Sequence, residues 1–408
     1  MKNVYNTNDP QKLLELKRLE AFALLDVLRT INQSELTIDQ MCLIGRNVLL
    51  AQLQVRKMVF FYLLKDRWHQ GIRTTFDALS EEDKEEFMSL RQITRVDSVA
   101  FPGLFAKGVE YVVPIINKGV PHAFFLIADF AETEVEAQND LIFIETLGHM
   151  LSVAIRNRQL FEEKIAQEYL RKELEVAGAI QKQLLFSAWH RFRSIDVYGT
   201  NVPHHGVGGD FFDVLKRGKA STLFCIADVS GKGIAAALLM SNLQANFRAL
   251  SAQYTKLADI VRELNKLMLT ITEGEKFVTF FVGKIDHRRK TLTYINAGHN
   301  PPIFMHEGGL RDLTMGCLVL GAMPEIPIQQ EEIPYTSGDG IILFTDGVVD
   351  QTNQAGEMMG RERIVAEGAQ MKELAARKMV EKLQAALDTF AEGTTPTDDI
   401  TLMAVKFA

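Results

Sequence analysis

In the second half of this chain, apolar runs end again and again in aspartate beside glycine. The first such cluster is Gly208-Gly-Asp-Phe-Phe-Asp213, and the second is Leu223-Phe-Cys-Ile-Ala-Asp-Val-Ser-Gly-Lys-Gly233. Ile341-Ile-Leu-Phe-Thr-Asp-Gly347 is the third, and Thr397-Asp-Asp-Ile-Thr-Leu402 closes the set. Each apolar run can form a buried strand. Each aspartate would then emerge at a strand end, where glycine lets the backbone come close to an ion. Converging carboxylates repel one another, a cost that is tolerable if a cation lies between them. An all-oxygen donor set favours Mg²⁺ or Mn²⁺ over zinc or copper. Two ions about 3.5–4 Å apart could share a carboxylate and activate a water for in-line attack on phosphorus.

Strand geometry narrows the choice of ligands. Side chains alternate faces along an extended chain. Asp210 and Asp213 are separated by an odd number of residues, and Asp398 and Asp399 are neighbours, so in each pair one carboxylate is expected to face the ions. Spacing alone leaves open which one. A single Asp-Gly is most often a turn or a cap; it is the combination of four that points to a metal site.

The order of these clusters resembles the SpoIIE/RsbU-like branch of the PP2C (PPM) phosphatases. The resemblance is carried by Glu175-Val-Ala-Gly-Ala-Ile-Gln-Lys-Gln-Leu-Leu185, Val207–Asp213, Asp228-Val-Ser-Gly-Lys-Gly-Ile-Ala-Ala-Ala-Leu-Leu-Met240, Ala297-Gly-His-Asn-Pro-Pro302, Thr345-Asp-Gly-Val-Val-Asp350 and Thr397–Thr401. It spans roughly residues 170–408 and implies an α+β fold, a sandwich of two antiparallel sheets flanked by helices. It implies that Asp210, Asp228, Asp346 and Asp398 bind the metal pair, with the Val229 carbonyl contributing, and makes them the catalytic set. Asp213, Asp350, Asp399, Lys232 and His299 form a second tier. Asp350 stands where many relatives carry Glu; a helical turn would bring it near Asp346, or it could supply favourable charge at a helix N-terminus. Eukaryotic relatives carry a histidine just after the aspartate-glycine pair. Here Ser230 takes that place, so the acid role of that histidine does not transfer. His299 sits in a Gly-His-Asn-Pro-Pro turn and reads first as structural. Lys232 could contact phosphate or cap the loop before a helix.

The hairpin expected at Phe277–Ile285 and Thr291–Asn296, and the late helix with Val380, Leu383, Leu387 and Phe390 on its core face, agree with that fold. The front of the chain reads differently. Residues 10–32 form a leucine-rich helix, including Leu13, Leu16, Leu19, Phe22, Leu24 and Leu25, too apolar for one narrow stripe. Ser34–Gln54 reads as a helix and Val55–Leu64 as a strand. Glu110–Ile116 and Ala123–Phe130 read as a hairpin around the turn chemistry of Asn117–Pro121. A proline-free helical stretch, 134–187, follows. This order resembles a small GAF domain, carried mainly by the phrase VVPIINKGVPHAFFLIADF. Phe161, Ile165, Tyr169, Leu170, Leu174, Ala177, Ile180 and Leu184 recur at spacings near three and four. That stripe suits either packing on the next domain or a parallel two-helix dimer stalk.

The expected organisation is an N-terminal helix (1–35), a GAF-like regulatory α/β domain (36–155), a helical linker (156–190) and a phosphatase domain (191–408). The net charge of −7 and pI near 5.8 argue against nucleic-acid binding. Three widely spaced cysteines, Cys42, Cys225 and Cys317, read as reduced core residues of a cytoplasmic protein. The apolar region Met41–Leu64 is interrupted by Arg46, Arg56 and Lys57 and is a poor membrane span. A homodimer through the N-terminal domain and linker helix is expected, and the resemblance implies a phosphorylated STAS-type (anti-anti-sigma) protein substrate in a partner-switching pathway. An idle signalling scaffold and a phosphatase of small metabolites are the alternatives.

Overall fold

The computed structural model describes residues 10–31, 36–74, 79–129, 134–185, 194–204 and 206–408. The chain divides into two compact units, Met1–Tyr169 and Leu170–Ala408.

The first unit opens with α1 (Pro10–Ile31) and α2 (Ile38–Leu53). A capping box starts α2: Thr37 Oγ1 accepts from Gln40 N–H while the Gln40 side chain accepts from Thr37 N–H. That cap sets the start four residues later than the hydropathy of Ser34–Gln54 implies. Of α1, Val27 and Ile31 are buried while Phe22 and Leu25 face outward; the side chains of Leu13, Leu16 and Leu19 lie outside the described residues.

Five strands follow, β1 (Lys57–Leu64), β2 (Arg67–Arg73), β3 (Thr94–Arg95), β4 (Tyr111–Asn117) and β5 (Val120–Ala128), with α3 (Glu81–Met88) before β3 and α4 (Pro102–Ala106) before β4. They form one sheet in the order β2-β1-β5-β4-β3. The β4–β5 hairpin turns on Lys118 and Gly119, both at positive φ, the tight turn that suits strand twist. The Phe130 end of the expected second strand lies outside the described residues. One face of this sheet packs on α1, α2 and the first turns of α5 (Glu134–Leu184); the other packs on α3 and α4.

The second unit is four layers. Its first sheet runs β13-β10-β9-β8-β7, from β7 (Phe211–Arg217), β8 (Ser221–Val229), β9 (Val278–Asp286), β10 (Thr291–Ala297) and β13 (Gly316–Cys317), with β14 (Glu331–Pro334) also on β10. Its second sheet runs β12-β11-β15-β16-β6, from β6 (Ile195–Val202), β11 (Ile303–His306), β12 (Gly309–Asp312), β15 (Gly340–Phe344) and β16 (Ile400–Phe407). The expectation of two antiparallel sheets holds apart from β10–β13, which is parallel because the chain reaches β13 by a crossover through β11 and β12.

Phe224, Phe281, Tyr294, Leu343 and Met403 fill the space between the sheets. Helices α6 (Gly233–Gln253) and α7 (Leu257–Thr272) cover the outer face of the first sheet. Helices α9 (Gly360–Gly368) and α10 (Ala376–Ala391) cover that of the second, and the single turn α8 (Asp346–Val349) follows β15. Val380, Leu383 and Leu387 are buried on α10, with Phe390 packed beside them.

No helix among the described residues is long and apolar enough to cross a membrane.

Candidate active site

Strand pairing decides the direction of each aspartate. Leu223, Cys225, Ala227 and Val229 of β8 point into the helix-facing core, and Phe224 and Ile226 into the core between the sheets. Asp228 therefore emerges on the inter-sheet side at the end of β8. Asp210, just before β7, is 2% exposed. Its Oδ2 accepts from Thr345 Oγ1 and Thr401 Oγ1, each at 2.7 Å. Those hydroxyls are themselves fixed: Thr401 N–H donates to Thr345 Oγ1 at 3.1 Å, and Asn201 Nδ2 donates to Thr401 Oγ1 at 2.9 Å. Asp210 is thus oriented by the second sheet although it leads into the first.

Asp228, Asp346 and Asp398 complete the group. Burial and the facing Asp228 carboxylate push the Asp210 carboxyl well above its usual range, against the pull of its two hydroxyl donors. Burial, then Asp346 and Asp398, push Asp228 up to about 7, while a hydrogen bond shared with Asp210 pulls the other way. Asp346 faces the solvent side of the group, yet its carboxyl is also raised, by desolvation and then by Asp398 and Asp350. Lys232 Nζ lies 2.8 Å from Asp398 Oδ2 and also bonds the Thr397 carbonyl. Lys232 occupies the N-cap position of α6, but its side chain makes no cap; it reaches the acids instead.

The paired candidates separate cleanly. Asp213 is turned away and fully buried, bound by Arg248 Nε at 2.6 Å. The same Arg248 donates through Nη2 to the Leu184 carbonyl near the end of α5. Asp399 is also turned from the group: its carboxylate accepts from His204 N–H at 2.8 Å and Gly209 N–H at 2.7 Å, pinning the loop that carries Asp210. This loop needs its glycines. A Cβ on Gly208 would lie 2.3 Å from Asp399 Oδ2, and one on Gly209 would lie 2.9 Å from the Val229 carbonyl oxygen.

Asp350 sits at the C-terminal end of α8, its N–H on the Asp346 carbonyl, so the expectation of a helix N-terminus is corrected: the turn begins at Asp346. It reaches the site only as a neighbouring negative charge on Asp346.

His299 is a buried imidazole. Its Nδ1 is 2.9 Å from Thr279 Oγ1, and the His299 backbone N–H donates to Asn296 Oδ1 at 2.7 Å. Burial lowers its pKa to about 4, which favours the neutral imidazole near pH 7. Ser230 Oγ is taken up by the Phe277 N–H. Sequence reasoning missed Thr345, Thr401, Asn201 and Arg248. The two threonines stand inside the aspartate motifs, so their position was a signal; Asn201 and Arg248 have none.

Among the described residues, no three His, Cys, Asp or Glu side chains already stand together as a finished ion cage. The donor chemistry nonetheless fits a hard divalent cation. Four carboxylates and a carbonyl held against Gly209 are all oxygen donors, and the raised proton affinity of Asp210 and Asp228 marks negative charge that a cation would offset.

Residues 218–408 match the family model described as Stage II sporulation protein E (SpoIIE). Over that span the chain is similar to the SpoIIE family. It is 29% identical over 192 residues to the phosphoserine phosphatase RsbU of Bacillus subtilis, covering 47% of this chain and 57% of that one. It is 28% identical over 276 residues to protein IcfG of Synechocystis, covering 61% and 43%. The chain thus spans about half the length of these curated relatives. The SiaA-PP2C domain of Pseudomonas aeruginosa shares the fold, with a TM-score of 0.53 at 20% identity, over 60% of this chain and 99% of that domain. That part of the chain therefore has a PP2C-like fold.

Proposed function

We propose that this protein is a divalent-metal-dependent protein serine/threonine phosphatase. The observation that carries the reading is the group of Asp210, Asp228, Asp346 and Asp398, three of them driven above their usual proton affinity. Clustered acids without matching cations are poor for stability and mark functional sites. The name phosphoserine phosphatase carried by RsbU supports the same reading.

Asp210, Asp228, Asp346, Asp398 and the Val229 carbonyl would hold Mn²⁺ or Mg²⁺, two ions by the count of donors. When bound, such ions supply an activated water and withdraw charge from the phosphoryl oxygens. The protein's own part is positional. Thr345 and Thr401 fix one Asp210 oxygen and leave the other for the site. Asp399 holds the Asp210 loop in register, and Asp213 with Arg248 anchors α6 behind it. Lys232, able to exchange Asp398 for a phosphate oxygen, would steady the substrate. Neither His299 nor Ser230 is placed to give the leaving group its proton; a carboxyl of raised pKa or water would do so.

The substrate in this reading is a phosphorylated STAS-type protein in a partner-switching pathway, and the protein is cytoplasmic. The first unit acts as a GAF-like regulatory domain. Phe161, Ile165, Tyr169 and Ile180 of α5 are exposed in the single chain and suit a parallel homodimer stalk. The deciding experiment is Mn²⁺- and Mg²⁺-dependent hydrolysis of a phosphoserine protein by the full chain, beside Asp228→Asn and Asp346→Asn. Metal-dependent turnover lost in both variants supports the proposal; turnover unaffected by either substitution or by chelation refutes it.

A further inference from the structure

The mouth of the carboxylate site carries a side chain that the proposed hydrolysis does not use. In the β8–β9 pairing, Asp228 lies opposite Thr279 and Val229 opposite Val278. The two chains remain bonded one residue further out: Ser230 N–H donates to the Phe277 carbonyl at 2.9 Å, and Phe277 N–H donates to Ser230 Oγ at 3.0 Å. Residues two apart on a strand share a face. Phe277 is therefore on the face of Thr279 and Asp228, one step closer to the open end. The opposite face is occupied by Val278 and Phe280, both fully buried under the helices.

Phe277 is 46% exposed, whereas Phe280 and Phe281 beside it on β9 are fully buried. Ser230 is on one side; on the other, the Val278–Leu320 bridge brings in Gly321, where a Cβ would lie 3.0 Å from the Lys276 carbonyl oxygen. Two cations border the same loop: Lys232 on Asp398, and Lys276, whose Nζ would be 2.9 Å from a Cβ on Gly231. Their charge suits a phosphate group but does not tell one phosphate from another. A half-exposed aromatic ring does discriminate, because burying its remaining surface is favourable only when an apolar group takes it out of water.

We infer that Phe277 is a docking platform for the protein substrate: an apolar side chain next to the phosphoserine rests on its ring while Lys232, exchanging Asp398 for a phosphate oxygen, steadies the phosphate. This rests on the phosphatase reading and adds the substrate class, a phosphoserine segment with an adjacent apolar residue. Phe277 acts by binding and takes no part in bond making.

The test uses the full chain with Mn²⁺ and two synthetic phosphoserine peptides, identical except that the residues flanking phosphoserine are leucine in one and glycine in the other. Wild type is expected to favour the leucine peptide by roughly tenfold in kcat/KM, mostly through KM. Phe277→Ser should bring that ratio close to one, and Phe277→Leu should keep most of it. The ratio is internal, so a loss of folded protein or of metal lowers both substrates together and leaves it unchanged. A wild-type ratio near one, or an undiminished preference in Phe277→Ser, overturns the inference while the phosphatase reading stands. Absence of Mn²⁺-dependent turnover of both peptides by wild type overturns that reading and this inference with it.

Discussion

Two buried acids, one in each unit, show opposite solutions to the same problem. Asp83 in the first unit is nearly enclosed, and burial alone would raise its pKa; the Lys107 ammonium and the Ser80 donors outweigh that and hold it below its usual range. Asp210 in the second unit is equally enclosed, but its charged neighbours are other carboxylates, and its pKa goes up. Asp213, three residues from Asp210, has a cation of its own in Arg248. Burial is thus common to structural and functional acids. What separates them is whether the protein supplies the compensating charge or leaves it to a ligand.

The sharpest way to break this contrast is to neutralise one acid of each kind. Asp228→Asn or Asp346→Asn is expected to lower Mn²⁺-dependent hydrolysis by roughly 100-fold or more, without lowering the melting temperature of the metal-free protein. Asp83→Asn is expected to do the reverse, costing stability. Equal losses of activity in both units, in the same assay, would end the distinction.

The paired acids should give the next largest effect. Arg248→Ala leaves Asp213 buried without its cation and is expected to destabilise by about 1–3 kcal/mol in urea unfolding; Arg248→Lys should recover part of it. Unchanged stability would mean that the pair is not structural.

Neighbouring acids at one strand end offer a finer test. Asp398→Asn is expected to weaken Mn²⁺ affinity about 10-fold or more in a metal titration, with little change in metal-free stability. Asp399→Asn weakens two hydrogen bonds to the Asp210 loop and is expected to lower Tm by about 2–4 °C for each kcal/mol lost. If the two variants behave alike, the separation of their roles is wrong.

The smallest effect is a slope. Asp228 is raised from 3.8 to about 7, and Asp210 is raised as well, so the metal-free folded state binds more protons than the unfolded chain between these values. The contribution of these groups to stability is complete below about pH 4 and is lost as pH rises towards 7. Thermal melts of metal-free protein should show this loss, and Asp228→Asn should flatten it. Stability rising over that range because of these groups would contradict the assignment.

Much of this was legible in the residues. The aspartate-glycine motifs mark the strand ends, and the Lys118-Gly119 turn and the α10 face lie where composition and period place them. Strand β2 escaped notice because RWHQGIR is polar and mostly exposed, which is normal for an edge strand. The choice within Asp210/Asp213 and Asp398/Asp399 was not legible either: parity says one of each pair faces inward but carries no information on which.

The sequence by itself determined the kinds of chemistry available, since four acidic motifs in order admit few purposes. It also determined most elements, through period, turn residues and caps, because those signals act over a few residues. Only the tertiary structure decided which acids converge. Arg248 lies 35 residues from Asp213, Thr401 lies 191 from Asp210, and Gly209 lies 190 from Asp399. The partner that turns an aspartate into a strut or leaves it free for the site arrives only when the two sheets close on each other.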